Sequence, residues 1–283
     1  VCLSEPKLTR EIEALNCILA LEKGSEARSL LALKLARTLM TDDGWKDAIK
    51  VLSDNPRTSN DFDLELGYAL CCAHKHSPAS RPFKGGLKRL QAVALLRQPV
   101  ESRDSYAPDV PAPTVRPGLR AKALYRLGKI CALHLNAVAE ARDCFQKAHI
   151  LRPENPYYHV AYVQTELRHR RDGNLLPLAA AGLRADIERC RQHVTLGIEM
   201  PSAFFTIARC RLLLGETSAC LCAYARVIAT LLGNCACGPG SLLDDEILTV
   251  QQLSGLQPAL AEQVLILLHL TRWRAHRAQK DQS

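Results

Sequence analysis

The chain has 283 residues, 47% of them apolar, enough for one large or two small domains and incompatible with wholesale disorder. Lys and Arg exceed Asp and Glu by 37 to 29, a formal charge of +8 that suits acidic partners without demanding nucleic acid. Aromatics are only 5%, low for a surface that stacks single-stranded bases.

No apolar run reaches the roughly 18 residues of a membrane span. The start, Val1 to Pro6, lacks the basic and apolar regions of a secretory signal. A cytoplasmic location with reduced thiols is therefore expected for the 12 cysteines. The start at Val1, with Met40 and Met200 the only methionines, is expected of a segment of a longer protein.

Apolar residues recur at three- and four-residue spacing almost throughout. Leu30, Leu31, Leu33, Leu35 and Leu39 mark one helix, and Trp45, Ala48, Ile49 and Leu52 begin the next. Leu64, Leu66, Tyr68 and Leu70 belong to a third; Leu87, Leu90, Val93, Leu95 and Leu96 to a fourth. Pro99, Pro108, Pro111, Pro113 and Pro117 then rule out regular structure over 98–118, which reads as a surface loop or insertion.

Helical periodicity resumes at Leu119 and runs to Leu151, ending before Pro153. Another helix starts near Pro156 and stops at the basic turn Arg168-His169-Arg170-Arg171. Residues 175–196 form a long helix, Pro201 opens the next, Gly215 ends it, and 217–232 make its partner. An irregular turn spans Asn234 to Gly240. Asp244 is expected to N-cap a short helix, and Pro258 opens the last one. The fold class expected is all-α, with N-terminal hairpins over 1–97, a core over 119–240 and capping helices over 241–283.

Self-similarity sharpens this. Leu124, Leu127, Gly128 and Cys131, followed by Ala141, Phe145, Ala148 and Pro153, stand at the spacings of a helix–turn–helix repeat. Tyr157, Val160 and Ala161 occur 33 residues after the first three. Phe204, Ile207, Ala208, Gly215, Cys220 and Tyr224 give a further unit. Leu35-Ala36 with Ala48, Leu52 and Pro56 gives an upstream one, and Leu66-Gly67-Tyr68 begins another.

Residues 121–153 and these degenerate copies, which cover most of 26–232, resemble the tetratricopeptide repeat family. The resemblance implies a right-handed α-solenoid of antiparallel hairpins. Gly128 and Ala141 would let two helices approach, and Phe145 would fill the space between them. It also implies a concave groove that receives a partner peptide or helix. The groove positions carried across are Lys122, Tyr125, Arg126, Lys129, Tyr158, His159, Tyr162, Phe205 and Arg209.

Lys122, Arg126 and Lys129 share one helix face at i, i+4 and i+7. That basic stripe beside tyrosines suits an acidic peptide or a terminal carboxylate. The family's carboxylate clamp places Lys and Arg four residues apart, as here, but Glu65 stands where the clamp has Asn. The alternative for the stripe is a solvated helix face.

Other constellations point to structure. Adjacent Cys71 and Cys72, with His74 and His76, diverge too far on a helix to converge on zinc. Cys131 and Cys220 fall at hairpin-interior positions, where a thiol packs as a small apolar group. Cys235 and Cys237, in a Gly/Pro turn, are the pair worth testing for thiol or metal chemistry. Asp42-Asp43 and Asp244-Asp245-Glu246 are read as helix-terminus charges. No nucleophile elbow, phosphate loop, zinc-protease or dinucleotide motif occurs.

The expectation is a non-enzymatic protein-interaction module without metal or cofactor. The alternatives are a basic helical-repeat module for nucleic acid or nucleotide, suggested by Arg168–Arg171 and Arg272-Trp273-Arg274, and the sensor or scaffold part of a larger enzyme.

Overall fold

The computed structural model describes residues 7–41, 43–55, 59–95, 117–170, 175–198, 201–234 and 240–280, and their regular structure is all α-helix. In chain order the helices are α1 (Lys7–Leu21), α2 (Ser25–Thr41), α3 (Trp45–Asp54), α4 (Asn60–Ala73), α5 (Arg81–Leu95), α6 (Pro117–Leu133) and α7 (Val138–Leu151). Then come α8 (Pro156–Arg170), α9 (Leu175–Thr195), α10 (Ser202–Leu213), α11 (Thr217–Asn234), α12 (Gly240–Leu253) and α13 (Pro258–Lys280).

Each helix packs chiefly on its neighbours in sequence, most extensively α4 on α5 and α6 on α7. Local chemistry explains the ends. Asn136 takes a left-handed backbone (φ 51°) between α6 and α7, a conformation Asn tolerates better than most side chains. Gly215 (φ 71°) stops α10, and beyond it the Glu216 N–H donates back to the Arg211 carbonyl at 3.0 Å. Asn155 starts α8, its side-chain oxygen accepting from the Tyr157 and Tyr158 N–H groups at 3.0 and 3.3 Å.

The α6–α7 pair follows the expected close approach. A Cβ built on Gly128 would lie 2.7 Å from the Phe145 ring, so the ring occupies the space that glycine leaves. Ala141 and Ala148 are fully buried beside it. Gly67 and Gly86 do the same for α4 and α5, where a Cβ on either would press within 3 Å of the other's carbonyl oxygen.

The core forms two clusters that meet in α4. Phe62, Leu66 and Ala69 pack towards α1–α3, while Leu64, Cys71 and Cys72 pack towards the remaining helices. The division thus falls within a helix and not at the proline-rich segment. Residues 98–116 of that segment lie outside the described residues. Pro117 and Gly118, expected in the loop, instead open α6, where proline's missing N–H costs no intrahelical bond.

Two expectations near the C-terminus are corrected. Helix α12 begins at Gly240, so Asp244, Asp245 and Glu246 lie inside it and do not cap its N-terminus. Nor do 242–277 only cap the end of the stack: α13 packs on α12 and α11, but α12 also touches α6, α8 and α10. Leu260, Val264, Leu268 and Thr271 form the buried face of α13. Cys235 and Cys237 lie outside the described residues. No helix among the described residues is long and apolar enough to cross a membrane.

Candidate functional site

Helix α6 carries the predicted basic stripe, and beside it lies a cavity of about 410 Å³. Lys122, Tyr125, Arg126, Lys129 and Tyr158 line it, joined by Arg37, Trp45 and Tyr68 from α2, α3 and α4. Aromatic edges and faces give it shape. Trp45 meets Tyr68 edge-on with ring centroids 6.0 Å apart, and Tyr125 lies 5.0 Å from Tyr158. The Arg126 guanidinium sits 4.6 Å from the Tyr68 ring centre, within cation–π range.

The cations of this region gather on Glu65, whose side chain has no exposure. Arg37 Nε donates to its Oε1 at 2.8 Å and Lys122 Nζ to the same oxygen at 3.0 Å. Arg126 Nη1 donates to Oε2 at 2.5 Å. Burial drives the Glu65 pKa upward, but Arg126, Lys122 and Arg37 together outweigh it and hold the carboxyl at about 2. Burial, reinforced by Arg126, lowers the Lys122 pKa against the pull of Glu65.

Arg37 also reaches Asp61 at 3.1 Å, so three cations face two carboxylates. The position at which Glu65 departs from the family's clamp is thus the hub of the cluster. The stripe is neither a simple solvated face nor an unopposed basic patch.

Further along, the chain supplies its own acids. Asp245 of α12 lies 3.9 Å from Lys129, 3.7 Å from Lys75 and 3.9 Å from His134. Glu246 of α12, 1% exposed, accepts from Arg209 Nε on both oxygens at 3.0 and 2.9 Å and from the Tyr224 hydroxyl at 2.8 Å. Gln252 completes the docking: Arg168 donates to its Oε1 at 2.5 Å, and its Nε2 donates to the Ala132 carbonyl at 3.0 Å. A small cavity of about 50 Å³ lies between α12 and the wall that it covers. Lys129 and Tyr125 border both this small cavity and the large one.

The remaining expected groove residues lie elsewhere. Arg209 is committed to Glu246 beneath α12. Phe205, 4% exposed, is part of the core. His159 turns towards α9, its Nδ1 2.5 Å from a fully buried Asp186 carboxylate oxygen, and Tyr162 stacks against His149 of α7. Their helix, α8, brings Tyr157 and Tyr158 to the large cavity instead.

Sequence reasoning missed Arg37, Trp45, Asp245 and Glu246 as members of the site. For the last two, a usable signal was present: acids at successive positions in a helix with no other charged residue, which a cap explains only if the helix starts there.

Among the described residues, the buried thiols behave as packing groups. Burial pushes Cys71, Cys72, Cys131, Cys190 and Cys220 up to about 12, so they stay neutral at pH 7. Cys71 and Cys220 donate weakly to the Phe83 and Ala208 carbonyls. Among the described residues no group of three His, Cys, Asp or Glu side chains is arranged to hold a metal ion.

Comparison with protein-family models, curated proteins and solved structures found no match.

Proposed function

We propose that this chain is a non-catalytic interaction module, a right-handed tetratricopeptide-like solenoid whose inner face holds an acidic segment of a partner protein. The observation that carries this reading is the pairing of an open, aromatic-lined cavity with a cluster of three cations. Carboxylates of an extended peptide, or its terminus, would take up donors of Arg37 and Lys122 that face the cavity. Trp45, Tyr68 and Tyr158 would pack against its apolar positions.

Helix α12 supports the choice of chemistry. It lies against α6, α8 and α10 and meets their cations with Asp245 and Glu246. The same wall, where it is left open, would recognise the same groups on another chain. The formal net charge of +8 is modest for the chain's length, and the aromatics are few, which favours a peptide over nucleic acid.

Titration with a glutamate-rich peptide at low salt tests this. Binding should weaken as salt rises. It should fall at least tenfold in Arg37→Glu/Lys122→Glu, with a lysine-rich peptide of equal length not binding. Arg37 and Lys122 are the right targets because their side chains are 43% and 37% exposed, whereas Arg126 is largely buried. Equal binding by the wild type and the double variant would remove the cavity from consideration.

A further inference from the structure

Helix α13 has two apolar faces. One, built from Leu260, Ala261, Val264 and Leu268, is buried against the rest of the chain. The other is exposed: Ile266, Leu270 and Trp273 are 55%, 57% and 58% accessible. Three large apolar side chains so exposed in one row are more than the scattered exposure that soluble surfaces tolerate.

Their order carries the information. Glu262, Ile266, Leu270, Trp273 and Arg277 are spaced by four, four, three and four residues, and all five are exposed. At 3.6 residues per turn they fall within about 80° of arc and span roughly 22 Å of helix. The stripe therefore reads acid, three apolar residues, base. Arg277 lies over the Trp273 ring at 5.5 Å, which holds the basic end against the apolar part.

Such a stripe complements itself when a second copy runs antiparallel. With the two-fold axis beside Leu270, between it and His269, Ile266 meets Trp273 of the other copy, and Glu262 meets the other copy's Arg277. Both charge pairs form at once, because a two-fold contact repeats every interaction. A parallel arrangement would set Glu262 against Glu262 and Arg277 against Arg277.

We infer that α13 is a self-association surface, through which two copies of this chain pair antiparallel about an axis beside Leu270. The occupant is a second copy because the charges at the two ends are of opposite sign and lie at nearly equal distances, eight and seven residues, from Leu270. The inference is independent of the cavity, which lies along α6 and does not include any α13 residue. A contact limited to one helix is small, so the dimer forms in a concentration-dependent way.

Sedimentation equilibrium on the full chain reads this directly. The apparent mass should climb from 31.2 kDa towards twice that value as concentration rises. Leu270→Arg, which sets two guanidinium groups face to face beside the axis, should leave a monomer with an unchanged helical circular dichroism spectrum.

Charge exchange separates self-pairing from non-specific adhesion. Glu262→Arg and Arg277→Glu should each weaken dimerisation roughly tenfold or more, since each creates two like-charge contacts. An equimolar mixture of the two single variants should associate like the wild type, because both of its contacts then join opposite charges. Carrying both changes on one chain should restore association in the same way. A wild type that stays monomeric at every accessible concentration overturns the inference. So does a dimer indifferent to Leu270→Arg, or single variants whose mixture fails to recover.

Discussion

The wall built on α6 and its neighbours has two halves that use the same residue types to opposite ends. Beneath α12, Lys129 and Arg209 meet carboxylates delivered by a helix distant in sequence, and the cavity there is small, about 50 Å³. At the other half, Lys122, Arg126 and Arg37 gather on Glu65, which belongs to the wall itself, and about 410 Å³ stays open. One half has an occupant. The other has only an internal counter-ion, which competes for the cations without filling the space above them. The lesson is that a row of cations along a helix does not by itself identify a binding surface. What distinguishes the halves is where the opposing acid comes from.

The filled half should be the more sensitive to mutation. Glu246→Ala would strand the largely covered Arg209 and leave the Tyr224 hydroxyl without its acceptor. A loss of about 3–5 kcal/mol is expected in urea unfolding, the usual cost of breaking a buried pair from one side. If Glu246→Ala proved neutral, α12 would not be the tightly held occupant described here.

Glu65→Gln tests the open half and should act in two directions. Stability should fall by on the order of 3 kcal/mol, the worth of moving a carboxyl from its ordinary value to about 2. Affinity for the glutamate-rich peptide should rise, because the cations lose their internal competitor. A variant that lost both stability and peptide affinity would show Glu65 to be an organiser of the cations rather than a competitor for them.

Acid should reproduce the stability effect in the wild type. Because the folded-state pKa is depressed, the contribution is complete above the ordinary value of 4.5 and is lost as pH falls towards about 2. Unfolding free energy measured over that window should decline more steeply in the wild type than in Glu65→Gln.

Gly128→Ala probes the hairpin that carries the whole stripe. Its methyl group would press on the Phe145 ring, and a cost of about 1–3 kcal/mol is expected. Phe145→Leu in the same chain should recover part of it by vacating that space. Smallest should be Gln252→Ala, which removes two hydrogen bonds that dock α12. A loss of about 1–2 kcal/mol by the same unfolding measurement is expected.

Legibility from sequence followed the range of the interactions. Gly128 with Phe145, Pro156 at the start of α8, and Gly215 at the end of α10 were readable because each acts within its own hairpin or turn. The acidic run at 244–246 was misread for the same reason. A cap is a local explanation, whereas these acids meet side chains as distant in sequence as Lys75 and Arg209. Glu65 was visible only as a departure from a motif. Its partners Lys122 and Arg126 lie 57 and 61 residues away, and nothing local announces that the three converge. His159, Tyr162 and Phe205 were placed by repeat register alone. In the structure α8 turns the His159 side chain towards α9, where it meets Asp186 in the core.

The central claim, that an acidic segment enters the open half at Lys122, is tested most directly by lysine footprinting. Lys122 is 37% exposed and lines the open cavity, so an acylating reagent should reach it. Adding the glutamate-rich peptide should slow modification of Lys122 several-fold, while Lys46 and Lys50, on the exposed side of α3, keep their rates. Bound peptide with Lys122 still modified at its original rate would contradict the account.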